Sequence, residues 1–440
     1  MGSWRIEDQR PSRVPCGRGG ARIMESGAVP EYGRIYTKTM RMTIRYILLL
    51  LLVLAACSKD GEPTAYPQAS RVVLAYMAGD NNLSGYVRSN LDAMVMGMAS
   101  APAHTRMLAY ADTPGENPRL MEITASGCKT LYTWSGTHDS ASAEIVREVL
   151  ALVRRVAPAD RYGLVLWSHG LAWVPSSATG YLTRSTARIG DPWPATKWFG
   201  QDTGETPAGY LETVDLAAAL PADMFDWILF DACFMSSVET LYALRDKAAW
   251  IICSPAEVIA DGFPYEKIMT ELLRPAPELR SVCETYYRHY AHHADPAYRA
   301  ATVSLVRTSE LEELADATAS LLSVALAADP DAFAYMDMDR IQPLDRYRRH
   351  FLFDMGSVAE ELARCGFVPS SLCEAWRAQF ARTVVYEAHT PWMLGLALGE
   401  CCGVSMYVPM SAYPDLNEFY ETLEWYVRCY PAVPFRRMIK

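Results

Sequence analysis

Short, nearly uninterrupted apolar runs recur along the chain, and each one ends in a polar turn. They cover residues 71–78, 106–111, 162–167, 227–230 and 250–253. Segments that are apolar on both faces are typical of strands in a parallel sheet that helices cover on each side. The pattern therefore predicts a buried parallel sheet.

The intervals between these runs show helical spacing. In residues 140–156 the apolar positions recur at helical intervals until Pro158 stops them, and residues 214–220 and 237–247 are similar. Strands that alternate with helices predict right-handed crossovers and a three-layer α/β fold. Further helices are predicted over residues 310–327, 358–365, 372–387 and 417–426, with one last strand over 403–408.

The first part of the chain resembles an export signal. After Met40 or Met42, Arg41 and Arg45 precede an apolar run over residues 46–56 that ends at Cys57. A helix of that length spans about 16 Å, which is too short to cross a bilayer, so the run predicts a signal peptide. Leu54-Ala55-Ala56-Cys57 resembles a bacterial lipobox, in which Cys57 is lipidated; the alternative is an ordinary signal cleaved near the alanines.

Four regions follow from these patterns. Residues 1–57 form the leader, and we expect that its residues 1–39 result from a mis-assigned start codon. The polar residues 58–70 form a tether. Residues 71–306 form the α/β domain, and residues 307–440 form a helix-rich C-terminal region with a final strand. We expect an exported protein that Cys57 anchors to the outer membrane or the cell surface.

Charge and cysteine content exclude several classes of protein. Residues 58–440 carry 47 Asp and Glu against 32 Lys and Arg, so an acidic surface disfavours nucleic acid and favours a cationic substrate. The composition is 50% hydrophobic and 21% charged, which excludes a disordered chain. No CxxC pair occurs among the eleven cysteines, which disfavours a zinc ribbon, and any disulfide pairing stays open.

Two reactive side chains follow predicted strands. His169 comes just after the run 162–167, and Cys233 follows the run 227–230. Ligands bind at the carboxyl ends of strands in open parallel sheets, and a thiol becomes a nucleophile when a base such as His lies within reach. Gly170 would let its backbone amide approach a developing oxyanion. The alternative is a buried structural cysteine and a structural histidine.

The local sequences resemble a known enzyme family. Trp167-Ser168-His169-Gly170 together with residues 230–239 (FDACFMSSVE) is similar to the clostripain family of cysteine peptidases, which belongs to the caspase-like clan. Residues 76–83 (YMAGDNNL), 199–202 (FGQD) and 262–265 (GFPY) fit the same pattern. The resemblance spans roughly residues 70–310.

The resemblance implies a role for each matching residue. His169 is the general base and acid, Cys233 is the nucleophile, and the backbone amides of Gly170 and Cys233 form the oxyanion hole. Members of the family cleave after Arg or Lys, and Asp231 occupies the position of the acid that binds this side chain. Asp261 is a second candidate for the same pocket. The alternatives are strand-end capping for Asp231 and an ordinary turn for Asp261.

The resemblance also implies self-cleavage. Relatives are activated by a cut between the His and the Cys or just before the His, where the candidate sites are Arg184, Arg188, Lys197, Arg154, Arg155 and Arg161. No residue that orients His169 is identifiable, and a backbone carbonyl is one option. No metal site is predicted and no cofactor is required. Calcium stimulates family members and stays a possible activator, although Asp80, Asp202 and Glu205 do not form an EF-hand-like loop.

The sequence thus predicts a lipid-anchored cysteine endopeptidase with a caspase-like three-layer α/β fold. Its expected substrate is a peptide or protein with a basic residue before the cleaved bond. Two alternatives stay open. One is a surface lipoprotein that keeps the fold but only binds peptides or partners, and the other is an active peptidase with non-basic specificity, in which Asp231 is structural.

Overall fold

The computed structural model describes residues 66–136, 138–181, 193–197 and 211–430. The strands in this part of the chain are β1 (Arg71–Ala78), β2 (Thr105–Asp112), β3 (Arg119–Thr124), β4 (Gly127–Thr133), β5 (Tyr162–Trp167), β6 (Phe225–Asp231), β7 (Ala248–Cys253), β8 (Thr302–Arg307), β9 (Leu352–Asp354), β10 (Val384–His389), β11 (Trp392–Met393), β12 (Leu396–Ala397) and β13 (Ser405–Tyr407).

Helices alternate with these strands. They are α1 (Ser84–Gly97), α2 (Ala143–Val156), α3 (Thr213–Ala219), α4 (Val238–Ala243), α5 (Tyr265–Leu272), α6 (Leu279–Ala291), α7 (Leu311–Ala328), α8 (Met355–Arg364), α9 (Ser370–Thr383), α10 (Pro414–Tyr420) and α11 (Glu424–Cys429).

A central sheet organises the molecule. Within the described residues it has nine strands in the order β10-β8-β7-β6-β5-β1-β2-β3-β4. The five middle strands, from β7 to β2, are parallel, and antiparallel pairs extend the sheet at both edges. The predicted α/β fold with a mostly parallel sheet is confirmed.

Both faces of the sheet are buried. In β1 the side chains alternate, so that Val72 and Leu74 enter one hydrophobic cluster while Val73 and Ala75 enter the other. Helices α1, α5 and α6 cover the second face, and α2, α3, α4 and α7 cover the first. This double burial explains why the middle strands appear in the sequence as continuous apolar runs.

The C-terminal region is not a separate unit. The predicted boundary between residues 306 and 307 falls inside β8, and β10 from the C-terminal region joins the central sheet beside β8. The predicted helix over residues 372–387 is wrong in its last turn, because α9 ends at Thr383. The β-branched and aromatic residues that follow pair with the open edge of β8 instead.

Other elements also depart from the predictions. The final strand is the short β13, which pairs with β9 in a separate small sheet. The predicted last helix is two short helices, α10 and α11. Of the predicted tether, residues 66–70 are described, and Ala69 already forms a parallel bridge with Ala159. Cys57 and the leader lie outside the described residues.

Candidate active site

The two predicted reactive residues follow neighbouring strands. Strands β5 and β6 are parallel, and Trp167 lies opposite Asp231 in their register. His169 and Cys233 each lie two residues further on, at the same edge of the sheet. A Cβ atom on Gly170 would lie 2.4 Å from the carbonyl oxygen of Cys233. The two loops therefore touch through their backbones, at a distance that only glycine permits.

Both loops contain a residue with left-handed backbone. Ala172 has a φ of 52°, and Phe234, directly after Cys233, has a φ of 63°. Each such conformation costs on the order of 1 kcal/mol for a residue other than glycine. The backbone amide of Phe234 donates to the Ala256 carbonyl over 2.8 Å, which fixes the strained turn. Strained backbone of this kind concentrates at functional sites. Here it occurs directly after Cys233, in the loop that contacts the end of β5.

Asn82 orients the imidazole of His169. The Nε2 atom of His169 lies 2.6 Å from Oδ1 of Asn82. Because an amide oxygen only accepts, Nε2 carries the proton, and the lone pair of the neutral ring lies on Nδ1, which is buried. No side chain that orients His169 was predicted from the sequence. Asn82 does belong to the motif of residues 76–83, which places it just after the end of β1.

The thiol of Cys233 is fully buried. Its sulfur accepts a hydrogen bond from the Val258 backbone amide over 3.1 Å. Val258 lies in the segment after β7, and its carbonyl oxygen accepts from the amide of Lys197 over 2.8 Å. The Lys197 segment therefore lies against the same residue that contacts the predicted nucleophile.

Asp231 forms an ion pair inside the protein. Its Oδ1 lies 2.6 Å from Nζ of Lys197, and both side chains are completely buried. The Tyr265 hydroxyl donates to Oδ2 of Asp231 over 2.7 Å. Burial lowers the pKa of the Lys197 ammonium, and the neighbouring Asp231 carboxylate opposes that shift. An unpaired charge here would be costly, so each partner stabilises the other.

Aromatic and small residues form the walls around this ion pair. Nζ of Lys197 lies 4.4 Å from the centre of the Trp167 ring, which adds a cation–π contact. The indole of Trp167 donates to Asn90 over 3.2 Å. A Cβ atom on Gly262 would lie 2.4 Å from the Asp231 carboxylate and would fill the pocket. These residues enclose the Lys197 side chain and the Asp231 carboxylate.

Asp261 lies at the margin of the same pocket. Its side chain is exposed, and among the described residues it forms no ion pair with Lys197. Its charge raises the pKa of Lys197, although less than Asp231 does. Its backbone carbonyl accepts from Asn90 over 3.2 Å. Asp231 is therefore the acid that contacts the basic side chain directly.

The backbone of Lys197 also contacts the loop of the predicted base. The Lys197 carbonyl accepts a hydrogen bond from the Gly170 amide over 3.2 Å. From the sequence, Lys197 is one of several candidate cleavage sites, and its contact with Asp231 was not predicted. Arg184, Arg188 and the motif 199–202 lie outside the described residues.

A cavity of about 140 Å³ opens beside the predicted base. Its lining includes His169, Gly170, Met235, Asn81 and Leu216. The cavity lies next to the loops of the two reactive residues and provides space around the imidazole.

The described part of the chain contains no group of three or more His, Cys, Asp or Glu placed to hold a metal ion. Asp80 belongs to no such group, and Asp202 and Glu205 lie outside the described ranges. No helix in the described residues is long and apolar enough to cross a bilayer. Within the described residues, the cysteines other than Cys233 are free thiols.

Comparisons with known proteins agree with this architecture. The model of the clostripain family matches residues 75–426. An inactive zymogen of a C11 protease from Parabacteroides distasonis is 32% identical, with a TM-score of 0.69 over 83% of this chain and 99% of that one. No curated protein sequence matches the chain.

A second solved structure carries a ligand. A secreted C11 cysteine protease from Bacteroides thetaiotaomicron, in complex with an irreversible peptide inhibitor, is 27% identical. Its TM-score is 0.66 over 82% of this chain and 99% of that one. The match to the family model covers most of the chain, and the sheet and loops have the expected arrangement. The chain belongs to the clostripain family of cysteine endopeptidases.

Proposed function

We propose that this endopeptidase cleaves after basic residues through His169 and Cys233, and that it first cleaves its own chain after Lys197. One observation carries the proposal: both the side-chain ammonium and the backbone carbonyl of Lys197 are bound. Its ammonium lies 2.6 Å from Asp231, and its carbonyl accepts from the Gly170 amide over 3.2 Å. A substrate residue before the cleaved bond needs these two contacts, one for recognition and one at the reacting carbonyl.

The reaction is acyl transfer. Nδ1 of His169 takes the thiol proton, and the Cys233 sulfur attacks the carbonyl carbon of the basic residue. The tetrahedral intermediate collapses as the imidazolium protonates the leaving amine, which breaks the peptide bond and leaves a thioester on Cys233. Water, deprotonated by His169, then hydrolyses the thioester, releases the new carboxylate and restores the thiol. No cofactor takes part.

Two contacts prepare the chain for this chemistry. Oδ1 of Asn82 accepts a hydrogen bond from Nε2–H of His169 and so keeps the lone pair on Nδ1. The Gly170 amide already points at the Lys197 carbonyl oxygen, where negative charge develops in the transition state. Removal of one such donor from other acyl-transfer enzymes reduces the rate by about 10²–10³.

The same segment blocks other substrates. Lys197 fills the pocket above Asp231, and the Cys233 thiol is fully buried. Cleavage after Lys197 makes this residue a new C-terminus. When the segment that ends at Lys197 leaves, the pocket at Asp231 becomes available to other substrates. The uncut chain is thus a precursor whose inhibitor is its own first substrate.

Peptide hydrolysis tests the proposal. Self-processed protein is incubated with fluorogenic peptides that differ only in the residue before the reporter: Lys, Arg, Asn, Asp or Leu. We expect turnover with Lys and Arg alone, and none from the Cys233→Ala variant. The Cys253→Ala variant, which removes a buried thiol from β7, is the matched control and should keep its activity.

The two alternative functions predict different results. Turnover with Leu or Asn but not with Lys or Arg would keep the cysteine mechanism and contradict the role of Asp231. A folded protein that cleaves neither its own chain nor any of the peptides would favour a lipoprotein that only binds peptides.

We also propose that the chain is exported and anchored through lipid on Cys57. The supporting observation is the cationic and apolar segment that ends in Leu54-Ala55-Ala56-Cys57. Cells that express the full chain would be fed an alkyne fatty acid, and the protein would then be isolated. Label that disappears in Cys57→Ser but persists in the Cys16→Ser control is the expected result. Label retained in Cys57→Ser would contradict the anchor.

A further inference from the structure

The chain just before Lys197 lies in the cleft as an added strand. The Lys197 amide donates to the Val258 carbonyl, and the Ala260 amide donates to the Ala195 carbonyl, each over 2.8 Å. Thr196 forms an antiparallel bridge with Ile259 between these two bonds. Peptides that bind by strand addition gain affinity from such backbone bonds and specificity from the pockets that receive their side chains. The segment therefore marks where further side chains of a substrate are bound.

The threonine before Lys197 has a polar partner of its own. Thr196 is buried, and its hydroxyl donates to Oε1 of Glu257 over 3.2 Å. The Glu257 carboxylate is itself buried and forms an ion pair with Arg346. A buried carboxylate held in this way is suited to accept from a hydroxyl, and an aliphatic side chain of equal size would leave that contact unmade.

Arg346 connects the Thr196–Glu257 contact to a second contact, between Trp193 and the β11–β12 hairpin. Its Nη1 donates over 3.0 Å to the carbonyl of Leu394, in the turn of the β11–β12 hairpin. The next residue, Gly395, packs against the indole of Trp193, whose ring atoms lie 3.2–3.4 Å from the position of a Cβ on Gly395. Trp193 is half-buried against the hydrophobic cluster that includes Leu394. One hairpin thus supports both contacts.

Ala195, which lies between the two contacts, differs from its neighbours. Its side chain is exposed, whereas that of Thr196 is buried. The cleft therefore holds the side chains at 193, 196 and 197 and leaves the one at 195 in solvent.

We infer that Glu257 and residues of the C-terminal region form two specificity subsites outside the lysine pocket. The threonine subsite, built on Glu257 and Arg346, takes a hydroxyl-bearing residue directly before the basic one. The tryptophan subsite, built on Leu394 and Gly395, takes an aromatic residue four positions before the basic one. The substrates are extended segments with that spacing. The inference rests on the proposed function, because the segment marks substrate positions only if Lys197 is bound as a substrate residue.

A set of peptides tests the inference on the self-processed enzyme. The parent peptide is Trp-Pro-Ala-Thr-Lys joined to a fluorogenic amide. Replacing its tryptophan by glycine should lower kcat/KM about tenfold, because a packed aromatic ring is lost. Replacing its threonine by valine should lower kcat/KM about fivefold, through loss of the hydroxyl contact. Replacing its alanine by glutamine is the matched control and should change kcat/KM by less than about twofold, because that side chain is in solvent.

An enzyme variant assigns the tryptophan subsite. Gly395 has a φ of 89°, and Asn tolerates such backbone better than most residues, so Gly395→Asn places a side chain against the indole with limited strain. In this variant the preference for tryptophan over glycine should fall towards one. Cleavage after lysine with both peptide ratios within twofold would overturn the inference and leave the proposed function standing. Failure to cleave any lysyl peptide would overturn both.

Discussion

Lys197 and Asp231 form a completely buried ion pair, with Nζ and Oδ1 2.6 Å apart. The lysine comes from the loop between β5 and β6, and the aspartate ends β6 two residues before the predicted nucleophile. A buried ion pair by itself does not guarantee stability, because the desolvation of both charges opposes their attraction. Its position is more informative, since it brings the bond after Lys197 to Gly170 and Cys233.

Breaking one side of this pair should destabilise the uncut protein. In a Cys233→Ala background, Lys197→Met should lower the free energy of unfolding by about 3 kcal/mol, because Asp231 is left buried without its cation. Adding Asp231→Asn to that variant should recover most of the loss. Urea unfolding of the parent, the two single variants and the double variant measures the coupling. Losses that simply add would contradict a direct pairing.

Asn82→Ala should impair catalysis more than binding. Without the amide oxygen the imidazole loses the partner of its Nε2 proton, and we expect kcat to fall by about 10- to 100-fold with KM little changed. Asn82→Asp keeps an acceptor and adds a negative charge, which raises the pKa of His169. Its activity should therefore exceed that of Asn82→Ala, and the acidic limb of the kcat/KM profile should move to higher pH. An unmoved limb would indicate that Asn82 has only a structural role.

Gly170→Ala should abolish measurable cleavage. The added Cβ would lie 2.4 Å from the Cys233 carbonyl oxygen, so the loop and the Gly170 amide must move. Loss of an oxyanion donor alone reduces the rate by about 10²–10³. The control is Gly85→Ala in α1, where a Cβ meets no atom within 4 Å. Circular dichroism should show both variants folded, and full activity in Gly170→Ala would contradict the assignment of its amide.

Glu239 should make stability fall as pH rises. This carboxyl is buried beside β13 and α10, where Oε1 accepts from the Tyr407 amide and the Tyr420 hydroxyl. Burial raises the pKa of Glu239 from 4.5 to about 7. The folded state therefore binds more protons than the unfolded state between these values, and the stabilisation present below pH 4.5 is lost as pH rises through 7.

The Glu239→Gln variant isolates this effect because its amide oxygen keeps the same acceptor position. Relative to the variant, the parent protein should lose roughly 3 kcal/mol of stability between pH 4.5 and 8. Urea unfolding in the Cys233→Ala background, at several pH values, measures the difference. Parallel curves for parent and variant would show that Glu239 is charged in both states.

The centre of the fold was predictable from the sequence. Strands β1, β5, β6 and β7 are buried on both faces of the sheet, so each has a continuous apolar sequence. The β3–β4 hairpin was not predictable, because β4 is largely exposed and carries no such run. Strand β10 was hidden as well: its pairing with β8 depends on an edge that only the folded sheet supplies. Distant contacts of this kind leave little trace in local sequence.

The site divides in the same way. His169, Cys233 and Asp231 follow strands, and short motifs identify them. The partners Asn82 and Lys197 depend on loops that meet in space. Asn82 is 87 residues from His169, and no periodicity connects the two. Lys197 is one of several basic residues in its loop, and only the contacts with Asp231 and Gly170 distinguish it from the others.

The position of the first cut tests the central claim most directly. Purified protein and its Cys233→Ala variant would be incubated and then analysed by intact mass and N-terminal sequencing, with Lys197→Met as a third sample. We predict a new N-terminus at Trp198 in the parent protein only. A cut at another residue, or the same cut in the Cys233→Ala protein, would contradict self-cleavage at the lysine that Asp231 holds.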